Sequence, residues 1–221
     1  ATGQNSIAQG ISSVAQQTAD IAIGANAAAN GTDTPVGSSN GQTAGTAISI
    51  GANSVATGIA TTALGEAAKA TENGAVAVGS KANATNKAAA ALGRDSLASG
   101  ESSTALGSGA KAQGQYSFAG APDSNASGVN SVAIGAHSRA NINDSVALGA
   151  GSETTSAFVP TNSATVGSIT YSGFAGNTSA LNGGAGSVVS VGKAGSERQI
   201  KHVAAGQITK DSTDAINGSQ L

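Results

Sequence analysis

The sequence has no cysteine, methionine or tryptophan, and only 2% of its residues are aromatic. The core of a globular protein of this length is normally filled by Leu, Phe, Ile and Met. Here the apolar residues are mostly alanine and valine, so any core must be thin and divided into many small parts. The lack of cysteine also excludes a disulfide framework.

Charged residues are equally scarce, at 10% of the chain, and the formal net charge is −2. The ten Lys and Arg residues are scattered without interleaved aromatic side chains, which argues against a nucleic-acid partner. The carboxylates form no acid–base pair, and no cluster has the spacing of metal ligands. The two histidines, His137 and His202, are interpreted as surface or packing residues. We therefore expect a protein that is not an enzyme and that holds no cofactor or metal.

No apolar run approaches the roughly 20 residues needed to span a bilayer, and no signal peptide is visible. Because the chain lacks methionine, we do not expect Ala1 to be a native start. We expect a processed piece of a longer protein, whose membrane anchor lies outside it.

The most informative feature present is a glycine at every fourteenth residue. A fixed period of this kind is the signature of a solenoid, and it argues against the disorder that a Gly-, Ser- and Ala-rich composition would otherwise indicate. The same spacing extends backwards to Gly37 and then, after a slip of one residue, to Gly24 and Gly10. The strict marks are Gly51, Gly65, Gly79, Gly93, Gly107, Gly135 and Gly149, with Ala121 at the remaining mark.

Branched residues recur one and three positions before these glycines, a period-two spacing that places both on one face of a short strand. We expect this face to fill the coil, through the coil-core residues Ile48, Ile50, Val76, Val78, Leu92, Leu106, Val132, Ile134, Val146 and Leu148. The residue between them is alanine in seven of eight coils. Uniform smallness suggests the close approach of another chain, so we predict an oligomer interface at Ala63, Ala77, Ala91, Ala105, Ala119, Ala133 and Ala147.

Each coil is thus predicted to contain two strands and two tight turns. Eleven coils at the usual strand spacing would form a rod of about 50 Å.

After Gly149 the period breaks: residues 154–162 are interpreted as a loop, and residues 164–167 as one more coil strand. Near the end, Thr213 is a plausible helix cap, and Ile216 and Leu221 have the spacing that opens a coiled-coil seam.

The units Ser131–Gly135 and Ser145–Gly149 resemble the head repeats of trimeric autotransporter adhesins of the YadA type, and residues 189–221 resemble the neck of that family. The resemblance implies an all-β, left-handed parallel β-roll solenoid, assembled as a homotrimer, with a neck that leads into a coiled-coil stalk. It divides the chain into head repeats (1–167), an irregular β insertion (168–187) and the neck with the start of the stalk (188–221). Arg198 would lie where the chains come together. The neck residues are Val191, Gly192, Arg198, Gln199, Ile200, Val203, Gly206, Asp214, Ile216, Asn217 and Leu221.

The resemblance also implies a bacterial surface protein, anchored in the outer membrane by a C-terminal barrel that is missing here. Such heads bind host extracellular matrix proteins, host cells or one another. Two other classes stay open. One is a purely structural trimeric spacer, such as a fibre-shaft segment. The other is a polysaccharide- or ice-binding solenoid, which should present a ladder of identical outward residues.

Overall fold

In the computed structural model the chain is a parallel β-solenoid, described for residues 1–31, 46–155, 159, 161–176 and 186–220. Every strand in the described ranges contains only two to four residues, because tight turns separate the strands of each coil. The strands in chain order are β1 (Ile7–Gln9), β2 (Val14–Ala15), β3 (Ile21–Ile23), β4 (Ala28–Ala29), β5 (Ala47–Ile50), β6 (Val55–Ala56), β7 (Thr61–Leu64), β8 (Lys69–Ala70), β9 (Val76–Val78), β10 (Asn83–Ala84), β11 (Ala90–Leu92), β12 (Leu97–Ala98), β13 (Thr104–Leu106), β14 (Lys111–Ala112), β15 (Phe118–Gly120), β16 (Asn125–Ala126), β17 (Val132–Ile134), β18 (Arg139–Ala140), β19 (Val146–Leu148), β20 (Glu153–Thr154), β21 (Ser163–Val166), β22 (Ile169–Ser172) and β23 (Val189–Ser190).

Two parallel sheets run along the solenoid. The odd-numbered strands β1 to β19, followed by β23, form an 11-stranded sheet, and the even-numbered strands β2 to β20 form a 10-stranded sheet. Each strand pairs with its equivalent one coil later, as Val132 does with Val146 and Ile134 with Leu148. The predicted all-β solenoid of 14-residue repeats is confirmed.

Four small side chains per coil fill the interior. In one coil they are Ala133, Ser138, Ala140 and Ser145, all with no exposed surface. Several of the buried serines donate a hydrogen bond to the carbonyl three residues earlier, as buried hydroxyls normally must. The Oγ–O distance is 2.7 Å from Ser131 to Gly128 and 2.8 Å from Ser96 to Gly93.

This interior reverses the two faces that we expected for the strands of the longer sheet. Every alanine predicted to meet another chain has no exposed surface in the single chain, so its side chain lies inside the coil: Ala63, Ala77, Ala91, Ala105, Ala119, Ala133 and Ala147. Every residue predicted to fill the coil lies on the outer face, partly or largely exposed: Ile48, Ile50, Val76, Val78, Leu92, Leu106, Val132, Ile134, Val146 and Leu148. Both assignments were wrong, because the space between the two sheets is narrow and holds almost entirely alanine, serine and threonine.

The register near the N-terminal end corrects a second expectation. Ile23 pairs directly with Ile50, so the coil marked by Gly24 stacks on the coil marked by Gly51. Equivalent residues here lie 27 residues apart, instead of the usual 14. In the described sheet no coil therefore lies between them, and the predicted mark at Gly37 lies outside the described part of the chain. We call residues 32–46, which separate the two paired coils in the sequence, the insertion.

A buried carboxylate closes the coil at this insertion. Asp20 has no exposed surface and occupies an inward position that holds a small residue in the other coils. Its Oδ1 accepts a hydrogen bond from the amide of Ala47 at 2.9 Å, and its Oδ2 accepts from those of Gln17 at 2.9 Å and Gly31 at 3.3 Å. Gly31 precedes the insertion and Ala47 follows it. Asp20 thus satisfies amides on both sides of the insertion.

We expect Asp20→Ser to lower the free energy of unfolding by about 2–4 kcal/mol, because two buried amides lose a charged acceptor. Serine is the matched choice, since it fills the equivalent position in other coils. The control replaces residues 32–46 by Ile-Ala, the pair that follows Gly58, which restores a 14-residue coil. In that shortened chain Asp20→Ser should be close to neutral in urea unfolding. An equal loss in both chains would contradict a role tied to the insertion.

The solenoid ends differently from the prediction. Residues 164–167 were expected to form another coil strand, but β21 pairs antiparallel with β22 and forms a separate hairpin. The next strand on the long sheet is β23, which pairs parallel with β19. Beyond it, the described residues up to 220 contain one 3₁₀ turn, Gly218–Gln220, and no helix begins at Thr213, where one was expected. No helix in the described ranges is long and apolar enough to cross a membrane.

Candidate functional site

The outer face of the 11-stranded sheet is an apolar surface that runs the length of the solenoid, and we call it the apolar face. It carries no charged residue. Several of its large side chains are nearly half exposed in the single chain: Leu64 (43%), Leu106 (48%), Ile134 (41%) and Leu148 (46%). From β3 to β19 its members are Ile21, Ile23, Ile48, Ile50, Thr62, Leu64, Val76, Val78, Ala90, Leu92, Thr104, Leu106, Phe118, Gly120, Val132, Ile134, Val146 and Leu148. A continuous exposed surface of this kind marks an interaction site.

One coil keeps the surface filled with an unusual pair of residues. Phe118 stands where other coils have a smaller side chain, and Gly120 stands where they have leucine, isoleucine or valine. A Cβ on Gly120 would lie 2.9 Å from Cζ of Phe118, so the ring covers the glycine. The large ring thus occupies the space that an aliphatic side chain fills in the neighbouring coils.

We expect the two positions to be strongly coupled. Phe118→Val should leave a gap above Gly120, and Gly120→Leu should drive the ring out of place, each at a cost of about 1–3 kcal/mol. The double variant recreates the arrangement of Val146 and Leu148 and should recover most of the loss. Urea unfolding of all four chains gives the coupling energy. Additive losses in the double variant would contradict this packing.

The outer face of the 10-stranded sheet is polar and mixed. Lys69, Lys111 and Arg139 project from it, and Arg139 pairs with Glu153 at 3.0 Å. Leu97 interrupts the series between Lys69 and Lys111. The ladder of identical residues expected of an ice-binding solenoid is therefore absent from the described strands of this sheet.

Exposed turns are held by side chains that reach the adjacent coil. Asn73 Oδ1 accepts a hydrogen bond from the amide of Ile59 at 3.0 Å, and Asn143 Oδ1 accepts from that of Val129 at 2.9 Å. Asp144 Oδ1 accepts from Asn130 Nδ2 at 2.8 Å. These bonds give the turns a fixed shape, so they can present side chains to a partner with little loss of conformational entropy.

Arg198 joins the neck region to the last coil. Its Nη1 donates to Ser152 Oγ at 2.9 Å and to the carbonyl of Val191 at 2.7 Å, while Nη2 donates to the carbonyl of Ala150. The guanidinium lies against Gly149, where a Cβ would come within 3.3 Å of it. Within the single chain these contacts link the turn before β20 to the segment after β23. The expected position of Arg198 where the chains come together stays a prediction.

Hydrogen bonds between residues 203–207 and residues 214–220 hold two segments of the neck region together. Asn217 Nδ2 donates to the carbonyl of Val203 at 3.0 Å, and Gln220 Nε2 donates to that of Gly206 at 2.7 Å. Asp214 Oδ2 accepts from the amide of Gln207 at 3.1 Å. Among the remaining neck residues, Gly192 is buried, Val191 is half-buried, and Gln199, Ile200 and Ile216 are exposed. Leu221 lies outside the described residues, so the coiled-coil seam stays a prediction.

A cleft of about 440 Å³ lies between the last coil and the neck region, lined in part by Glu153, Val189, Lys193, Glu197 and Arg198. The amide of Gly195 donates to Glu197 and lowers the pKa of that carboxyl. Within the described residues no group of three or more His, Cys, Asp or Glu could hold a metal ion. The cleft follows from the junction of coil and neck, and we assign no chemistry to it.

The two parallel sheets, the small-residue interior and the apolar outer face define a parallel β-solenoid of stacked coils. The chain matches the YadA head domain repeat family over residues 1–27, 43–65, 56–82, 70–96, 84–110, 98–119 and 126–152, which together make up more than half of it. The chain therefore belongs to the YadA head domain family.

The chain is also similar to individual proteins. An autotransporter adhesin, BtaE of Brucella suis, is 46% identical over 67 residues, which is 30% of this chain and 8% of that protein. Solved structures include the C-terminal YadA-like domain of BPSL2063 from Burkholderia pseudomallei, 52% identical over 43% of this chain and 41% of that one, with a TM-score of 0.37. The collagen-binding domain of the Yersinia adhesin YadA is 28% identical over 80% of this chain and 73% of that one, with a TM-score of 0.47.

Proposed function

We propose that the chain is the head of a trimeric surface adhesin, a non-enzymatic protein that binds through an extended surface. The observation that carries the proposal is the uncharged apolar face, which is partly exposed along the solenoid of the single chain. Burying it against two further copies would remove apolar area from water at about 25 cal/mol per Å². Three is the number of chains that the YadA type implies.

The apolar face replaces the alanine positions as the proposed trimer contact. Its repeated valine, leucine and isoleucine side chains offer the same surface in almost every coil, so three parallel copies could meet along their whole length. The polar face of the 10-stranded sheet and the turns would then face outward. These outward surfaces are where we place contacts with host extracellular matrix or host cells.

Display on the bacterial outer membrane is part of the proposal and is supported by the likeness to an autotransporter adhesin. Three copies of one site on a rigid stem would act together, so modest affinity per site could give firm attachment. The neck, with Arg198 at its start, would close the assembly towards a coiled-coil stalk.

Solution mass by light scattering over a dilution series tests the assembly. A mass three times that of the 20.7 kDa chain is expected. The trimer, immobilised on beads, is then tested against host cells and a panel of collagen, laminin and fibronectin. A trimer that binds none of these would indicate a structural spacer, and a folded monomer would contradict the proposal as a whole.

A further inference from the structure

The hairpin of β21 and β22 has two chemically distinct faces. Paired residues of an antiparallel hairpin project to the same side, and successive pairs alternate between the sides. The pairing puts four hydroxyl side chains on one face: Ser163, Thr165, Thr170 and Ser172. The other face is apolar and consists of Ala164, Val166, Ile169 and Tyr171.

The apolar side of this hairpin has no cover within the described chain. Val166 is 68% exposed, Ile169 57% and Tyr171 52%. Neither strand contacts any strand of the solenoid as described. A lone two-stranded hairpin is at best marginally stable in water, so this one needs a partner surface.

The position of the hairpin identifies the partner. The hairpin lies between β20, the last strand of the polar sheet, and β23, which continues the sheet that carries the apolar face. It therefore leaves the solenoid at the neck end, where three chains assembled on their apolar faces would converge.

The sequence around the hairpin suits contact with identical copies. From Thr154 to Gly192 the chain has no Asp, Glu, Lys, Arg or His, the longest such run in its second half. Residues near a symmetry axis meet their own counterparts, so any charge there would face a like charge. An uncharged surface avoids that repulsion.

We propose that the apolar faces of three hairpins pack together at the neck end and form a second contact of the trimer. This inference rests on the proposed trimer and adds an element outside the repeat. The other two chains are the occupants, because they are always present, whereas a host ligand would leave the apolar face exposed until binding.

Site-directed cross-linking of the whole chain tests the packing, since the protein has no cysteine of its own. Ile169→Cys and Thr170→Cys are neighbours on opposite faces, and both side chains are exposed in the single chain. Under mild oxidation Ile169→Cys should give disulfide-linked dimers within the trimer, with a yield that does not change on dilution. Thr170→Cys should stay at the background level.

Light scattering on the same samples separates the possible failures. A trimeric mass with equal or absent cross-linking at both positions would overturn the hairpin contact and leave the trimer in place. A monomeric mass would contradict the proposed function itself. A pair of double variants tests for a ligand site instead: Val166→Asp with Ile169→Asp on the apolar side, and Thr165→Asp with Thr170→Asp on the hydroxyl side. If the apolar-side variant loses host-cell binding while its trimer is as stable as that of the hydroxyl-side variant, the hairpin is a ligand site and the contact is again overturned.

Discussion

Glutamate at both Leu106 and Ile134 should convert the assembly into single chains, whereas glutamate at both Ala105 and Ala133 should prevent the coils from folding. The two pairs are adjacent in sequence, but they point to opposite sides of the same two strands. Leu106 and Ile134 are 48% and 41% exposed in the single chain, so a charge there costs the isolated solenoid little. In the trimer the same charges would lie unpaired in an apolar contact.

Ala105 and Ala133 have no exposed surface, and their neighbours inside the coil are alanine and serine. A glutamate side chain would have to displace the opposite strand and bury a carboxylate without a partner, which costs several kcal/mol at each site. Ala105→Glu with Ala133→Glu should therefore lose the circular dichroism signal of the β-structure.

Light scattering and circular dichroism together decide between the two faces. Leu106→Glu with Ile134→Glu should keep its β signal while its mass falls to that of one chain. Leu106→Ser with Ile134→Ser is the matched control for size without charge, and it should weaken the trimer less. A trimer that survives both glutamates would show that the apolar face is not the contact.

The sequence alone predicted the class of fold and the length of the repeat, because the glycine period reflects stacking directly. Strand periodicity could not show which face of the strand points into the coil. A period of two sorts the residues onto two faces, but it does not say which face is inward. The deciding signal was in the second strand, where Ala84 and Ala98 are also uniformly small. The small residues of the first strand and those of the second strand face each other across the interior in every coil. Their small size is therefore explained without a partner chain.

Three features were beyond the repeat pattern. Gly37 falls on a mark of the 14-residue repeat, and only the pairing of Ile23 with Ile50 shows that the coil of Gly24 stacks directly on that of Gly51. The acceptor role of Asp20 depends on amides that lie 11 and 27 residues away, a relation that no local pattern records. Residues 164–167 resemble a coil strand in composition. Thr165, however, pairs with Thr170 only five residues later, and so short a separation gives a hairpin.

Replacing a repeat glycine by alanine should cost far more than its small size suggests, and Gly93→Ala is the clearest case. Gly93 has a φ of 139°, a conformation that residues with a Cβ rarely adopt. An added Cβ would lie 2.5 Å from the carbonyl oxygen of Gly107 in the next coil. Strain and overlap together should lower the free energy of unfolding by about 2–6 kcal/mol.

The chain supplies the reverse experiment at Ala121, which already carries a Cβ at the same position with a φ of 147°. Ala121→Gly should relieve about 1–3 kcal/mol of backbone strain and lose about 0.4–1 kcal/mol through the greater freedom of the unfolded chain. The net result should be a higher urea midpoint than that of the parent. Opposite signs for Gly93→Ala and Ala121→Gly are the specific expectation. A loss of stability in Ala121→Gly would show that the coils do not require the glycine conformation at their first corner, and the physical basis of the 14-residue glycine period would have to be sought elsewhere.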